Sequence, residues 1–288
     1  TLNFRGRKSP LTLTIGILVI LGAVFTAASG FYADWLWFKS VNFTSTWSTV
    51  LGTKAMLFVV IGLITALFVM FNVLLAYKRR PLYVPMTIEA DNLERYRSQI
   101  EPIRRGVFMA GFLALFYFAG TSGSTLWSTW LLFRNSTEFG VKDPQFNMDI
   151  SFFAFRLPFW QTLIGWGIST LVLSIIASVA VHYLYGGIRL QVREDRTTVA
   201  ARVQLSVLLC LVVLLKAVAY WFDRFALALK DSKLITGLTY TDVNAVLPAK
   251  AILTGIAIVC SLLFFANIVR RSWVLPAAGT ALLVISSV

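Results

Sequence analysis

Charge is scarce in this sequence, and acid is scarcer than base. Of 288 residues, 13 are Asp or Glu and 26 are Lys or Arg. A soluble domain carries about a quarter charged residues; here the charged fraction is 14%, against 58% apolar. There is one histidine, His182, and there are two cysteines, Cys210 and Cys260, neither in a CxxC pair. This excludes a disulfide framework and a zinc site of the usual spacing, and both thiols read as buried and inert. There is no phosphate-cradling glycine loop and no DxDxDG calcium loop. His182 has no Ser or Cys neighbour to serve as nucleophile; it reads as a boundary residue bonded to a neighbour. No cofactor is implied. No internal repeat is evident, and no pair of broken helices stands in matching positions, which argues against an inverted-repeat transporter.

What the sequence has is long apolar runs. Six are complete, at about 11–32, 55–77, 107–131, 160–185, 199–222 and 249–269; a seventh runs from about 273 to 288. Runs of about 18 or more apolar residues read as membrane-spanning helices, and a barrel would show short alternating strands instead. The expected fold is an all-α polytopic transmembrane bundle of seven spans, forming one domain. The first run is too long for a signal h-region and has no A-x-A site, so it reads as a retained span. The chain starts without Met and stops inside the seventh run, so a longer protein is expected.

The net charge of +13 does not indicate nucleic acid. The basic residues sit at the ends of the apolar runs, the pattern of topology signals and anionic-lipid contact. With seven spans, sixteen of the 26 fall on one side: Arg5, Arg7 and Lys8; Lys78 to Arg80 with Arg95, Arg97, Arg104 and Arg105; Arg189, Arg193, Arg196 and Arg202; Arg270 and Arg271. That side is expected to be cytoplasmic, with the N-terminus there and the continuation beyond Val288 outside. Between the second and third spans, TIEADNLERYRSQIEP places acids before bases, as suits a helix macrodipole. It reads as a surface helix on anionic inner-leaflet lipid, with Leu93, Tyr96 and Ile100 on one face.

Aromatics crowd the other ends of the spans, as interfacial Trp and Tyr do. The densest stretch, DPQFNMDISFFAFRLPFW, carries Asp143, Phe146, Asp149, Phe152, Phe153, Phe155 and Trp160. It reads as an interfacial or re-entrant element of an outer loop; two aspartates without His or Cys make a poor metal or catalytic site. The last outer loop offers Tyr240 and Asp242 as a docking element or as part of a folded cap. In the fifth run, Lys216, Tyr220, Asp223 and Arg224 share a helix side. A charge in hydrocarbon is costly, so Lys216 either snorkels outward or marks a polar route. Asp34, after the first run, is the one acid placed to hold a metal for a lipid-phosphate glycosyltransferase. Gly120-x-x-Gly123, GWG at 165–167 and Gly186-Gly187 read as close-packing points or helix ends.

The ordered combination YADWLWFKSVNFTSTWSTV, AYKRRP, KDPQFNMDISFFAFRLPFW, AYWFDRF and LTYTDVNAVLP resembles uncharacterised protein family number 0182, large integral membrane proteins found mainly in actinobacteria. The resemblance covers essentially the whole chain. It implies the N-terminal membrane portion of a protein with a large extracytoplasmic region after the seventh span, in a bacterial cell membrane. It carries over no catalytic residue. It also implies glycine where Asn147 stands, which makes a tight turn there less secure. The leading reading is a non-enzymatic scaffold, self-associated or bound to an envelope partner. A conduit at Lys216 and Asp223 is second, and a glycosyltransferase using Asp34 third.

Overall fold

The computed structural model describes residues 10–81, 88–189, 196–231 and 237–270, with positions 279 and 281. The expected seventh span, about 273–288, lies outside the described residues apart from those two. The helices are α1 (Pro10–Ser40), α2 (Thr44–Lys78), α3 (Ile88–Ile100), α4 (Arg104–Ser124), α5 (Trp127–Arg134), α6 (Leu157–Leu184), α7 (Val199–Ala226) and α8 (Leu247–Arg270). Among the described residues, extended pairing is confined to single bridges such as Lys142 with Asp149 and Ile188 with Thr197. Six helical runs among the described residues are long and apolar enough to cross a membrane. The expected all-α polytopic class is what the chain adopts.

The chain divides into two compact units, Thr1–Ala55 and Met56–Val288. In the first, α1 runs past the expected end of the first span to Ser40, and α2 begins at Thr44, well before the expected 55. At 1.5 Å per residue, α1 is about 46 Å long, against about 30 Å of hydrocarbon. The loop between them shrinks to Val41–Phe43, with Asn42 in the left-handed region at φ 60°. Phe31 and Trp47 pack edge-on across this hairpin at 4.9 Å.

In the second unit, α2 and α4 approach as closely as glycine allows. A Cβ on Gly62 would lie 2.6 Å from the carbonyl oxygen of Phe116, and one on Gly120 2.8 Å from that of Phe58. Gly123 meets the Ile61 side chain in the same way, so Gly120-x-x-Gly123 is the packing point expected. The expected third span is interrupted: α4 ends at Ser124, and α5 restarts at Trp127 after a turn. The α7–α8 pair holds the most extensive helix contact, around Val213, Ala217, Ala257, Cys260 and Phe264. Cys260 is fully buried, and Cys210 Sγ lies 3.3 Å from Ser261 Oγ.

Two helices begin in the same unusual way. Five-residue π turns, Phe152–Arg156 and Asp242–Val246, precede α6 and α8, and each is followed by Leu-Pro. Proline has no N–H, and its ring clashes with the carbonyl four residues back. The wider turn relieves that clash: Leu157 N–H bonds the carbonyl of Phe152, and Leu247 N–H that of Asp242. These two helix starts match, and each π turn runs unbroken into its helix.

Candidate functional site

The second unit has two chemically distinct ends. At one meet the end of α5, the starts of α6 and α8 and the end of α7, and aromatic rings fill it. At the other meet the end of α2, the α3–α4 junction, the end of α6 and the start of α7, and arginines surround it.

At the aromatic end, Asp149 accepts N–H bonds from Phe139 (3.1 Å), Gly140 (2.9 Å) and Ser151 (2.8 Å). Its carboxyl is drawn from an ordinary 3.8 down to about 2, first by the Ser151 hydroxyl and N–H, then by the Phe139 N–H. Asp143 accepts from the N–H groups of Gln145 and Phe146, both at 2.9 Å. Asn147 takes φ 54°, and its N–H bonds the Asp143 carbonyl at 2.9 Å. The tight turn therefore forms with asparagine, a residue that tolerates the left-handed region. Both aspartates are spent on shaping the loop.

The phenylalanines of this segment turn onto protein. Phe146 packs on Phe153 and Phe225, and Phe152 on Phe225. Phe155 meets Phe139, and Phe153 is 4% exposed. Trp160 contacts Phe133 and Phe222 but stays 38% exposed. Outward, the segment presents Ile150 and Trp160, and Phe139 and Val141 lie exposed just before it. It is a folded cap first, with a narrow apolar rim. In the last loop, Asp242 is 1% exposed. It accepts from Lys230 Nζ (3.0 Å), the Thr239 N–H (3.0 Å) and the Thr239 hydroxyl (2.7 Å). Of the suggested docking pair only Tyr240 is presented, at 85% exposure.

The Lys216 group does not assemble as one cluster. Lys216 lies on an exposed face of α7, with Nζ 5.4 Å from the Tyr220 ring. Asp223 pairs with Lys250 at 3.5 Å, and Arg224 stacks on Trp221 at 4.5 Å. Asp34 lies inside α1 instead of in a loop. No group of three or more His, Cys, Asp or Glu suited to a metal occurs among the described residues.

A buried polar network went unforeseen. Thr170, Ser174, Ser178 and His182 recur every four residues along one face of α6, and all are buried. His182 Nε2 lies 3.0 Å from Gln204 Oε1, and Gln204 Nε2 donates to the Asn72 carbonyl (2.9 Å) and to Ser178 Oγ (3.2 Å). The network ties α2, α6 and α7 together. His182 does bond a neighbour, as expected, but from deep burial, at 1% exposure.

The arginine-rich end is organised around Glu101, in the single 3-10 turn joining α3 to α4. Glu101 accepts from the Tyr77 hydroxyl (2.8 Å), the Tyr185 hydroxyl (3.3 Å) and Arg104 Nη1. Arg80 lies 3.7 Å from it and stacks on the Tyr77 ring at 4.4 Å. The α3 helix forms where expected, but it leads straight into α4 and docks on α6: Arg97 Nε donates to the Leu184 carbonyl. That bond satisfies one of the carbonyls left over at the end of α6. Arg80, Arg97, Glu94, Glu101 and Tyr185 line a cleft of about 320 Å³.

Six apolar helical runs, a glycine-mediated helix crossing and a buried polar network define a polytopic α-helical membrane protein. The chain belongs to the Uncharacterised protein family (UPF0182), whose model matches residues 11–288. It is 47% identical to a UPF0182 protein of Streptomyces coelicolor, over 98% of this chain and 29% of that protein. To one of Nocardioides it is 45% identical, over 98% of this chain and 28% of the relative. To one of Thermobifida fusca it is 44% identical, over 98% and 28%. The chain thus spans less than a third of the length of these actinobacterial relatives. No solved structure matches it.

Proposed function

We propose that this segment is a membrane base in the bacterial plasma membrane that anchors and orients a larger extracytoplasmic part of the same polypeptide and holds it in an assembly, with further copies of itself or with an envelope protein. Its arginine-rich end faces the cytoplasm, as the distribution of basic residues favours. The observation that carries this reading is the construction of the aromatic end. Three of its carboxylates, Asp143, Asp149 and Asp242, are committed to donors that fix two helix starts. A surface held this way suits bearing a load better than turning over a substrate. The test is gentle extraction of the full-length protein followed by native mass measurement. A self-assembled oligomer, or a protein partner at fixed stoichiometry, supports the base; a monomer without any polypeptide partner overturns it.

A second reading is a conduit. The buried network of His182, Gln204, Asn72 and Ser178 favours it, more than the dispersed Lys216 group does. Under it, Gln204→Leu abolishes the cellular function while the folded protein persists in the membrane.

A further inference from the structure

We infer that the cleft at the arginine-rich end binds an anionic phosphoester headgroup, and that Glu94 is a built-in competitor for it. This goes beyond the base reading and stands without it. The two carboxylates of the cleft differ in kind. Glu101 is held from several sides by Tyr77, Tyr185 and Arg104. Glu94 is 67% exposed and meets Arg97 Nη1 at 3.2 Å, three residues on along the same helix. Only the Glu94 side of this pair is exposed, so its carboxylate can turn out into solvent when an incoming anion takes its place on Arg97.

The two arginines beneath are under-used. Arg97 is 14% exposed, and its Nη2 is buried with no hydrogen-bond partner among the described residues. A buried donor without an acceptor is costly, and a guanidinium matches phosphate with a two-pronged fork. Arg80 is fixed by stacking on Tyr77, and its 3.7 Å approach to Glu101 gives attraction but is too long for a hydrogen bond. With Glu94 displaced, Arg80 and Arg97 present two cations on neighbouring aromatic rings. The volume of about 320 Å³ suits a headgroup and not a whole lipid. The cleft lies where the apolar run of α2 gives way to Lys78, Arg79 and Arg80, the depth at which phosphates lie.

The phosphoester has two possible carriers, a lipid or a soluble metabolite. The full-length protein, stripped of lipid, is returned to phosphatidylcholine nanodiscs with graded phosphatidylglycerol, and native mass spectrometry counts retained molecules. The expected result is one saturable phosphatidylglycerol per chain. Arg80→Gln, which leaves the Arg97–Leu184 bond in place, weakens it by about tenfold or more. Glu94→Gln tightens it, and both variants keep the unfolding midpoint of the parent. Competition by glycerol 1-phosphate at equal affinity assigns the site to a soluble phosphoester; no competition assigns it to the lipid-borne headgroup. Equal retention of phosphatidylcholine overturns the proposal. So does a Glu94→Gln variant that binds no better than the parent, because a purely structural salt bridge predicts loss or no change.

Discussion

At the aromatic end, Asp149 and Asp143 are satisfied by backbone N–H groups within ten residues of themselves. At the arginine-rich end, Glu101 is satisfied by side chains drawn from α2, α4 and the end of α6. A carboxylate bonded to the backbone fixes the path of the chain, and nothing can replace it without remaking the loop. One bonded to side chains fixes how helices sit against each other, and those side chains can change partners. The first arrangement makes shape; the second makes a joint between helices, beside which the exposed Glu94 can yield to a ligand. The same contrast appears in the rings: phenylalanine on phenylalanine at one end, tyrosine under arginine at the other.

Breaking the aromatic end at its most buried acid gives the largest effect. Asp242→Ala strands the Thr239 N–H and hydroxyl and the Lys230 ammonium, and the unfolding midpoint drops by about 5 °C or more. Hydrogen exchange should locate the loss at the start of α8. Just inside the arginine-rich end, Gln204→Leu deprives His182, Ser178 and Asn72 of their shared partner. Its cost is about 1–2 kcal/mol, read by denaturant unfolding, with loosening spread over α2, α6 and α7. Acid discriminates the two ends more gently. The folded Asp149 carboxyl is depressed from 3.8 to about 2, so its contribution is complete above 3.8 and is lost as pH falls through the folded value. Exchange protection at Phe139 and Gly140 should therefore fall between about pH 4 and pH 2. Asp149→Asn should show that loosening already at neutral pH. The smallest effect belongs to neither end: Lys216→Met, on an exposed face of α7, changes stability by no more than about 0.5 kcal/mol.

The helices were legible because apolar runs of this length have few alternative fates, and the arginines and aromatics marked the run ends. The length of the first hairpin was less legible, since TSTWSTVLGTK reads as a loop by polarity, yet its Ser and Thr hydroxyls bond back into the helix. The Leu-Pro pairs announced helix starts without revealing π turns, because proline at a first helical position is ordinary. Asn72 and Gln204 each stand singly in an apolar run, and only helix packing brings them to His182. The spacing of Thr170, Ser174, Ser178 and His182 was the available sign: four polar residues on one face of a span have to meet something. Lys216 drew attention because it is charged, whereas the buried polar chemistry is carried by uncharged amides and hydroxyls.

The paired π turns also set a phase. Each holds one residue more than ordinary winding would, and one residue is worth about 100° of rotation about a helix axis. Deleting any residue between Phe152 and Arg156 would leave α6 where it is while swinging everything before it through more than a quarter of a circle. Phe146 would leave Phe225, and the aspartate loop would be carried around the rim of the bundle. The direction in which these loops point is thus written as a count of residues, and a single-codon deletion would re-aim them.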